Sequence, residues 1–377
     1  MFKNLKQMQD SLDDVLNKNY KTFVKDKKNE NPLIKTYIFE NHSVQNEANK
    51  KDEITKILRG IEFEKNTSTQ IIETIDENMV ILTIFGVEYY FDISNSRFWK
   101  MHSLDYAKNT DRVQNTLLQQ REMDNIWLPS AFMYSTENRL GELYSLGISF
   151  KDILKEEKNS NIERFLNETN DLNLHLSKKM AKPIIKSLLN ENFKRELSIK
   201  TIGLLTSDEN DEFIVDTLKY NGKFTARGNS FSMHINNVNN ILDNYMGKIS
   251  VLENDYPLQL KGKKIDGNFL VIKLASEVNI DKFIEKMCDG TKPFRLWATP
   301  YKIRENVVRI KAIDTHMGNY SKRLNININT SKKTLIIELL PESCGNSIAR
   351  LITNINLFVD ASANLTVGDK QHEYFRY

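Results

Sequence analysis

The last hundred residues of this chain alternate apolar and polar side chains in several short segments, and this alternation constrains the fold more than any other feature. Successive side chains of a strand point to opposite faces of a sheet, so such segments predict half-buried strands. The predicted order is a strand (268–275), a helix (279–288), four strands and a final helix (345–360). We therefore expect an antiparallel sheet with helices on one face.

The same alternation separates an apolar inner face from an outer face rich in Arg, Lys, Asn and Trp. Arginine and lysine neutralise phosphate, asparagine offers a donor and an acceptor to base edges, and tryptophan provides a stacking surface. The outer face is therefore a candidate nucleic-acid interface. Two other interpretations remain open: the polar residues simply keep a half-buried sheet soluble, or the face binds a protein partner. The outer side chains of this candidate are Arg295, Trp297, Arg309, Lys311, Asn325 and Asn327.

The order of elements over 268–360 resembles the topology of the TATA-binding-protein-like fold, whose sheet forms a concave, DNA-facing saddle. The resemblance is one of topology and includes no shared motif. It implies a DNA-facing sheet, while function has to be argued from the site itself.

Two basic loops add to this candidate. Lys223 and Arg227 lie just before a predicted amphipathic helix (231–249), and helix N-termini attract anions through their unpaired N–H groups. Lys263 and Lys264 lie in the loop that leads into the final strand–helix module. Phosphate binding is one interpretation; a turn, a capped helix and surface lysines are the other. Neither loop matches the Walker A or dinucleotide fingerprint.

The remaining sequence predicts three domains and an α+β fold class. Residues 1–125 form an N-terminal α+β region that opens with an amphipathic helix and contains a β-meander (69–93). Residues 130–189 show mostly helical patterning, and residues 126–195 are interpreted as a helical connector. Residues 196–377 form the C-terminal α+β domain. The apolar stripe of the first helix packs either on its own domain or on a second copy.

Composition excludes several classes of protein. With 40% hydrophobic and 27% charged residues over 377 positions, the chain is globular rather than disordered. A net charge of +3 means that any basic footprint is local. Two isolated cysteines cannot form a disulfide framework, which favours the reducing cytoplasm. No segment approaches the about 20 apolar residues that span a bilayer, so we predict no membrane partner.

Catalytic motifs are not found. The six histidines show no metal-ligand spacing. Asp314 and His316 would share a strand face, as a metal site or general base requires, although a turn aspartate and a surface histidine are commoner. Cys344 precedes the last predicted helix, a position that can activate a thiol or simply hold a small half-buried residue. We therefore predict no catalytic residue, no metal and no cofactor, and a non-enzymatic role.

Together these features favour a cytoplasmic, non-catalytic, nucleic-acid-binding component of a larger microbial assembly. The Lys-, Asn- and Ile-rich composition is typical of AT-rich genomes, in which motif-poor proteins of this size often serve phage defence or mobile elements. One alternative is a metal-dependent nuclease or hydrolase with a dispersed site. Another is a protein-interaction scaffold that binds a protein partner or forms a homo-oligomer. The choice between DNA and RNA stays open.

Overall fold

The computed structural model describes residues 2–26, 33–42, 49–61, 69–137, 139–155, 171–177, 180–181, 183–184, 187, 194–316, 323–368, 370 and 372–376. The helices within these residues are α1 (Leu5–Asp26), α2 (Lys50–Arg59), α3 (Ala107–Leu117), α4 (Ser130–Ser135), α5 (Phe231–Asn254), α6 (Ile280–Cys288) and α7 (Gly345–Phe358). The strands are β1 (Ile34–Asn41), β2 (Thr69–Glu73), β3 (Met79–Ile84), β4 (Val87–Asp92), β5 (Phe98–Ser103), β6 (Met123–Asn125), β7 (Glu142–Lys151), β8 (Asp171–Ser177), β9 (Ile199–Ser207), β10 (Phe213–Lys219), β11 (Lys223–Gly228), β12 (Gln259–Lys261), β13 (Lys264–Asp266), β14 (Phe269–Lys273), β15 (Leu296–Trp297), β16 (Tyr301–Arg304), β17 (Val307–Asp314), β18 (Arg323–Asn329), β19 (Thr334–Glu338) and β20 (Asn364–Val367). Helices and antiparallel sheets on this scale make an α+β fold, which confirms the predicted fold class.

The chain divides into two compact units that are not consecutive in sequence. Unit 1 contains Met1–Ile126, Leu140–Glu142 and Gly203–Leu242, and unit 2 contains Trp127–Arg139, Leu143–Ile202 and Asp243–Tyr377. This division differs from the three consecutive domains predicted above. The reason is strand pairing: β11 is the antiparallel neighbour of β1, so the 203–242 segment belongs with the N-terminal strands.

Unit 1 is built on an antiparallel sheet in the order β2-β3-β4-β5-β1-β11-β10. The predicted meander is confirmed as β2, β3 and β4. Aromatic and β-branched residues dominate these strands because they pack well on a pleated, buried surface. Tyr37, Phe39 and Trp99 are fully buried, and Ile54 and Leu58 of α2 complete this core.

Helix α1 packs within unit 1. Its apolar residues Met8, Leu12 and Leu16 are buried, and the helix contacts β11. The carboxylate of Asp13 accepts a hydrogen bond from the backbone N–H of Phe231 at 2.6 Å, at the start of α5. Of the two interpretations of the first helix, packing on its own domain is therefore confirmed.

Unit 2 contains the predicted C-terminal module. Its sheet has the order β15-β17-β18-β19-β14-β20, and β16 pairs with β17. The predicted order of strand, helix, meander and helix is confirmed, with β16 and β20 as strands that the sequence analysis did not identify. The inward side chains of the central strands are fully buried, as Ile310, Ile326 and Ile337 show.

Helix α7 covers the inner face and is itself buried on all sides from Gly345 to Leu357. A Cβ atom at Gly345 would lie only 3.0 Å from the carbonyl oxygen of Ile249, so glycine permits the close approach of α5. The guanidinium of Arg350 pairs with the carboxylate of Asp314 at the end of β17. Buried polar groups require such partners, because an unpaired one costs about 1–3 kcal/mol.

The prediction of mostly helical structure in 130–189 is wrong for the residues described there. These include β7 and β8, which pair antiparallel with Leu146 opposite Leu176 and Ile148 opposite Leu174. The buried residues Leu146, Ile148 and Phe150 recur every second position, a strand period that the sequence analysis mistook for a helical one. Much of 156–193 lies outside the described residues.

No helix in the described part of the chain is long and apolar enough to cross a bilayer.

Candidate nucleic-acid interface

The outer face of the unit 2 sheet brings the predicted side chains of three strands together. Directly opposed residues of an antiparallel pair project to the same face. Arg309 lies opposite Asn327, and Lys311 lies opposite Asn325. Trp297 lies opposite Ile313, which shares the face of Lys311 and Arg309 by the two-residue period of β17. The predicted strand parity is therefore confirmed for these five positions.

This face is open to solvent, and besides the predicted Trp297 it carries two further aromatic rings, those of Phe269 and Tyr301. Trp297 is 55% exposed, and Phe269 and Tyr301 are each 44% exposed. Tyr301 lies opposite Arg309, and Phe269 lies opposite Glu338 of β19. An exposed aromatic ring on a sheet is a potential stacking surface for a base. We call this set of outward residues on β14–β19 the sheet face.

A hydrogen-bonded ladder orders the polar side chains at the centre of the sheet face. The Nε of Arg309 donates to Asn327 Oδ1 at 2.8 Å, and Asn327 Nδ2 donates to Glu338 Oε1 at 2.8 Å. Asn325 Nδ2 donates to the other oxygen of Glu338 at 3.4 Å. This bond uses one of the five N–H donors of Arg309. The bonds to Glu338 orient the amides of Asn325 and Asn327 in the absence of a ligand.

Lysines flank this ladder. Lys311 and Lys273 are exposed, and Arg323 is exposed on the strand next to β17. Arg323 lies opposite Ile313, and Lys273 opposite Thr334, so both share the outer face. Positive charge therefore surrounds the aromatic and amide groups on this side of the sheet. The ladder itself contains one acidic side chain, Glu338.

Arg295 is placed less simply than predicted. Strand β15 contains only Leu296 and Trp297, and Arg295 precedes it with a left-handed φ of 57°. Its carbonyl oxygen accepts a bond from the backbone N–H of Thr315 at 2.9 Å. Strand alternation does not apply to a residue outside the strand, so it does not assign the half-buried Arg295 to the sheet face.

Lys263 and Lys264 lie in unit 2, in a separate two-stranded hairpin formed by β12 and β13. Every side chain of these two strands is exposed. Lys263 follows Gly262 in the turn, and Lys264 begins β13.

Lys223 and Arg227 lie in unit 1, on β11. The ammonium of Lys223 pairs with the carboxylate of Asp111 and lies 5.3 Å from the ring centroid of Tyr37. The nearby N-terminus of α5 already holds an anionic group of this chain, the carboxylate of Asp13 described above. The helix end that could have attracted phosphate therefore has an internal partner.

A chain of buried hydrogen bonds in unit 1 was missed by the sequence analysis. The carboxylate of Asp216 bonds His234 Nδ1 at 2.6 Å, His234 Nε2 bonds Thr36 Oγ1 at 2.7 Å, and Thr36 Oγ1 bonds His102 Nδ1 at 2.8 Å. All four residues are buried. Among the described residues, His102 Nε2 has no hydrogen-bond partner. Burial, and then the neighbouring His234, lower the pKa of His102 to about 3.

The order acid, imidazole, hydroxyl in this chain is that of a nucleophilic triad, but its geometry does not suit catalysis. Thr36 is fully buried between the two imidazoles, so a substrate cannot reach its hydroxyl. The three hydrogen bonds are compatible with one another: His234 donates to Asp216 and accepts from Thr36, which accepts from His102. We call these four residues the buried histidine chain. Its role in the fold is to link β1, β5, β10 and α5.

Asp314, His316 and Cys344, which the sequence analysis considered for catalysis, are all buried within the fold. The carboxylate of Asp314 is buried and binds Arg350 and Ser347, while it accepts the backbone N–H of His316 at 2.8 Å. Cys344 is a buried thiol directly before α7. Neither residue presents a reactive group to solvent.

The comparison with known proteins gives a family. MJECL33 of Methanocaldococcus jannaschii is 25% identical to this chain over 406 residues, which cover 97% of this chain and 94% of that protein. A family model described as MJECL33-like protein matches residues 1–374. Because that match spans nearly the whole sequence, the chain belongs to the MJECL33-like protein family.

Proposed function

We propose that this protein binds nucleic acid through the sheet face of unit 2 and acts without catalysing a reaction. The observation that carries the proposal is the coincidence of exposed aromatic rings, ordered amides and basic side chains on one open side of a sheet. Bases stack on aromatic rings with about 1–3 kcal/mol each, and lysine and arginine neutralise phosphates. Asparagine amides pair with base edges.

The arrangement differs from what solubility alone requires. Solubility explains lysine, glutamate or asparagine on an exposed sheet, but it does not explain Trp297, Tyr301 and Phe269 in water. Aromatic rings that are open to solvent on a sheet are available to stack on bases. A protein ligand could also cover the rings; the surrounding positive charge favours a polyanion instead. The protein would work in the cytoplasm as part of a larger assembly.

Charge reversal tests the proposal. Lys273, Lys311 and Arg323 are exposed, so changing all three to Glu should leave the free energy of unfolding nearly unchanged. Fluorescence anisotropy with labelled DNA and RNA oligonucleotides should show at least about tenfold weaker binding. The slope of log K against log salt should become less steep by about 2–3, as the loss of three phosphate contacts predicts.

The control is a variant with the same change in net charge elsewhere: Lys6→Glu, Lys21→Glu and Lys286→Glu on α1 and α6. It should keep the affinity and the salt slope. Equal binding by the sheet-face variant and the parent protein would eliminate the proposed interface. Cleavage of plasmid or RNA by the purified protein with Mg²⁺ or Mn²⁺ would instead support the metal-dependent nuclease.

A further inference from the structure

The β12–β13 hairpin stands apart from the main sheet of unit 2. It forms its own two-stranded sheet, with Gln259 opposite Asp266, Leu260 opposite Ile265 and Lys261 opposite Lys264. The turn is Gly262-Lys263, and Gly262 has a φ of +64°. Glycine with positive φ at the first turn position is typical of a type II′ hairpin, which matches the twist of two strands. The hairpin is therefore a regular β-ribbon.

The base of this ribbon is anchored. The N–H of Asn268 donates to Tyr256 O at 3.0 Å, and the N–H of Leu258 donates to Leu339 O at 2.9 Å. Gly267 has a φ of +114°, and a Cβ atom there would lie 2.5 Å from the carbonyl oxygen of Pro257. The close approach at Gly267 holds the two strands together where they enter the sheet, directly before Phe269 of the sheet face. The ribbon is therefore continuous with the proposed interface.

The ribbon exposes groups that are costly in water. Leu260 and Ile265 lie opposite each other on one side, and each is 75% exposed. A two-stranded ribbon is at best marginally stable alone. A stable ribbon normally buries its cross-strand apolar pairs against another element. On the other side Lys261 and Lys264 are directly opposed, an arrangement of like charges that destabilises a strand pair.

Charge complementarity identifies the kind of ligand. The segment 259–266 carries three lysines and one aspartate, and that aspartate already pairs with Lys261 at 2.5 Å. A polyanion would relieve the repulsion between Lys261 and Lys264, and it would give Lys263 a partner at the tip.

Geometry restricts the polyanion further. The major groove of B-DNA is about 12 Å wide and admits a two-stranded ribbon, whose strands lie about 4.8 Å apart. The major groove of A-form RNA is too deep and narrow for side chains to read. The apolar pair of Leu260 and Ile265, on the face opposite Lys261 and Lys264, matches the thymine methyl groups that line the DNA groove. We propose that the β12–β13 ribbon inserts into the groove of duplex DNA, which makes double-stranded DNA the preferred ligand of this protein. This inference rests on the proposed nucleic-acid binding and names its substrate class.

The test compares three ligands of one sequence: a DNA duplex of about two helical turns (~20 base pairs), the single DNA strand and the RNA duplex. The full-length protein should bind the DNA duplex at least about tenfold more tightly than the RNA duplex. Lys263→Glu with Lys264→Glu should lower the affinity for the DNA duplex by at least about tenfold. Leu260→Thr with Ile265→Thr, which places strand-favouring β-branched residues at both positions, should remove most of the preference for DNA over RNA. The threonine pair, which keeps the charge of the ribbon, should not change single-strand binding by more than about twofold.

The failures of the two proposals are distinguishable. If the parent protein binds the DNA and RNA duplexes equally, or if both ribbon variants bind the DNA duplex as the parent does, the ribbon proposal is overturned while sheet-face binding stands. If the parent binds none of the three ligands, both proposals fail. Light scattering tests whether the ribbon instead binds a second copy of this chain. If the parent protein is a dimer and the Leu260→Thr/Ile265→Thr variant is a monomer, the ribbon binds a second copy and groove insertion is overturned. Because Leu260, Lys263, Lys264 and Ile265 are exposed, unchanged circular dichroism is expected for both variants and would confirm that they fold.

Discussion

Units 1 and 2 both place polar side chains on antiparallel sheets, but those of unit 1 are buried and those of unit 2 are partly exposed to solvent. In unit 1 the buried histidine chain is sealed from solvent, and its hydrogen bonds run between elements that are far apart in sequence. In unit 2 the Arg309–Asn327–Glu338 ladder lies on a half-exposed face with aromatic neighbours. Buried polar groups must be bonded within the protein, whereas exposed ones can exchange water for a ligand. Substitutions in the first set should therefore change stability, and substitutions in the second should change binding.

The largest effect is expected in the buried histidine chain. His234→Ala leaves the buried carboxylate of Asp216 with the Asn237 amide but without its imidazole donor, and a buried polar group that loses its partner costs at least about 1–3 kcal/mol in the free energy of unfolding. Chemical denaturation measures this loss. The double variant His234→Leu/Asp216→Leu removes both partners and should recover a large part of it. If the His234→Ala variant is as stable as the parent protein, the buried histidine chain does not stabilise unit 1 and the proposed difference between the units is wrong.

The next effect concerns pH. The pKa of His102 is about 3 in the fold and about 6.5 in the unfolded chain, so between these values only the unfolded chain binds the proton. The free energy of unfolding should therefore fall as the pH falls below 6.5, by about 1.4 kcal/mol per pH unit from this residue. His102→Gln should remove that part of the slope between pH 6.5 and 4.5. His372→Gln, at an exposed position, is the control and should keep the slope.

A smaller effect, on binding alone, is expected at Trp297. Trp297→Ala removes a 55% exposed ring and should weaken nucleic-acid binding by about 1–3 kcal/mol with little change in melting temperature. Phe85→Ala is the matched control in unit 1, because Phe85 is 61% exposed and should not affect affinity. If Trp297→Ala and Phe85→Ala weaken nucleic-acid binding by the same factor, the sheet face is not the binding surface.

The smallest effect is expected at Glu338. Glu338→Gln removes the acid of the ladder while keeping an acceptor for Asn327 Nδ2. Less repulsion of phosphate should tighten binding by about 0.2–1 kcal/mol at low salt, and the gain should shrink as salt screens it. Weaker binding by this variant would indicate that the carboxylate itself contacts the ligand.

Local periodicity made much of the fold predictable. The two-residue period of β17, β18 and β19 gave the buried residues Ile310, Ile326 and Ile337 and their outward neighbours, because adjacent side chains on a strand necessarily alternate. The stripe of α5 was predictable for the same kind of reason. The strand β7 was not, because alternation over its short apolar stretch was mistaken for helical spacing.

Long-range contacts were not predictable in this way. Thr36 lies 66 positions from His102 and 198 from His234, and no spacing in the sequence connects them. Asp13 and Phe231 are 218 positions apart, yet the aspartate occupies the helix end that the basic loop of β11 was expected to offer to phosphate. A single sequence contains no signal for such pairs.

The sequence by itself therefore determined which residues of a strand or helix share a face, because backbone geometry sets those periods locally. It determined in this way the outward positions of Trp297, Arg309, Lys311, Asn325 and Asn327 in unit 2. Only the tertiary structure decided which strands are neighbours, which polar groups are buried and which hairpin stands alone. Those outcomes depend on contacts between distant segments, whose free energy comes from burial and strand pairing that no local pattern records.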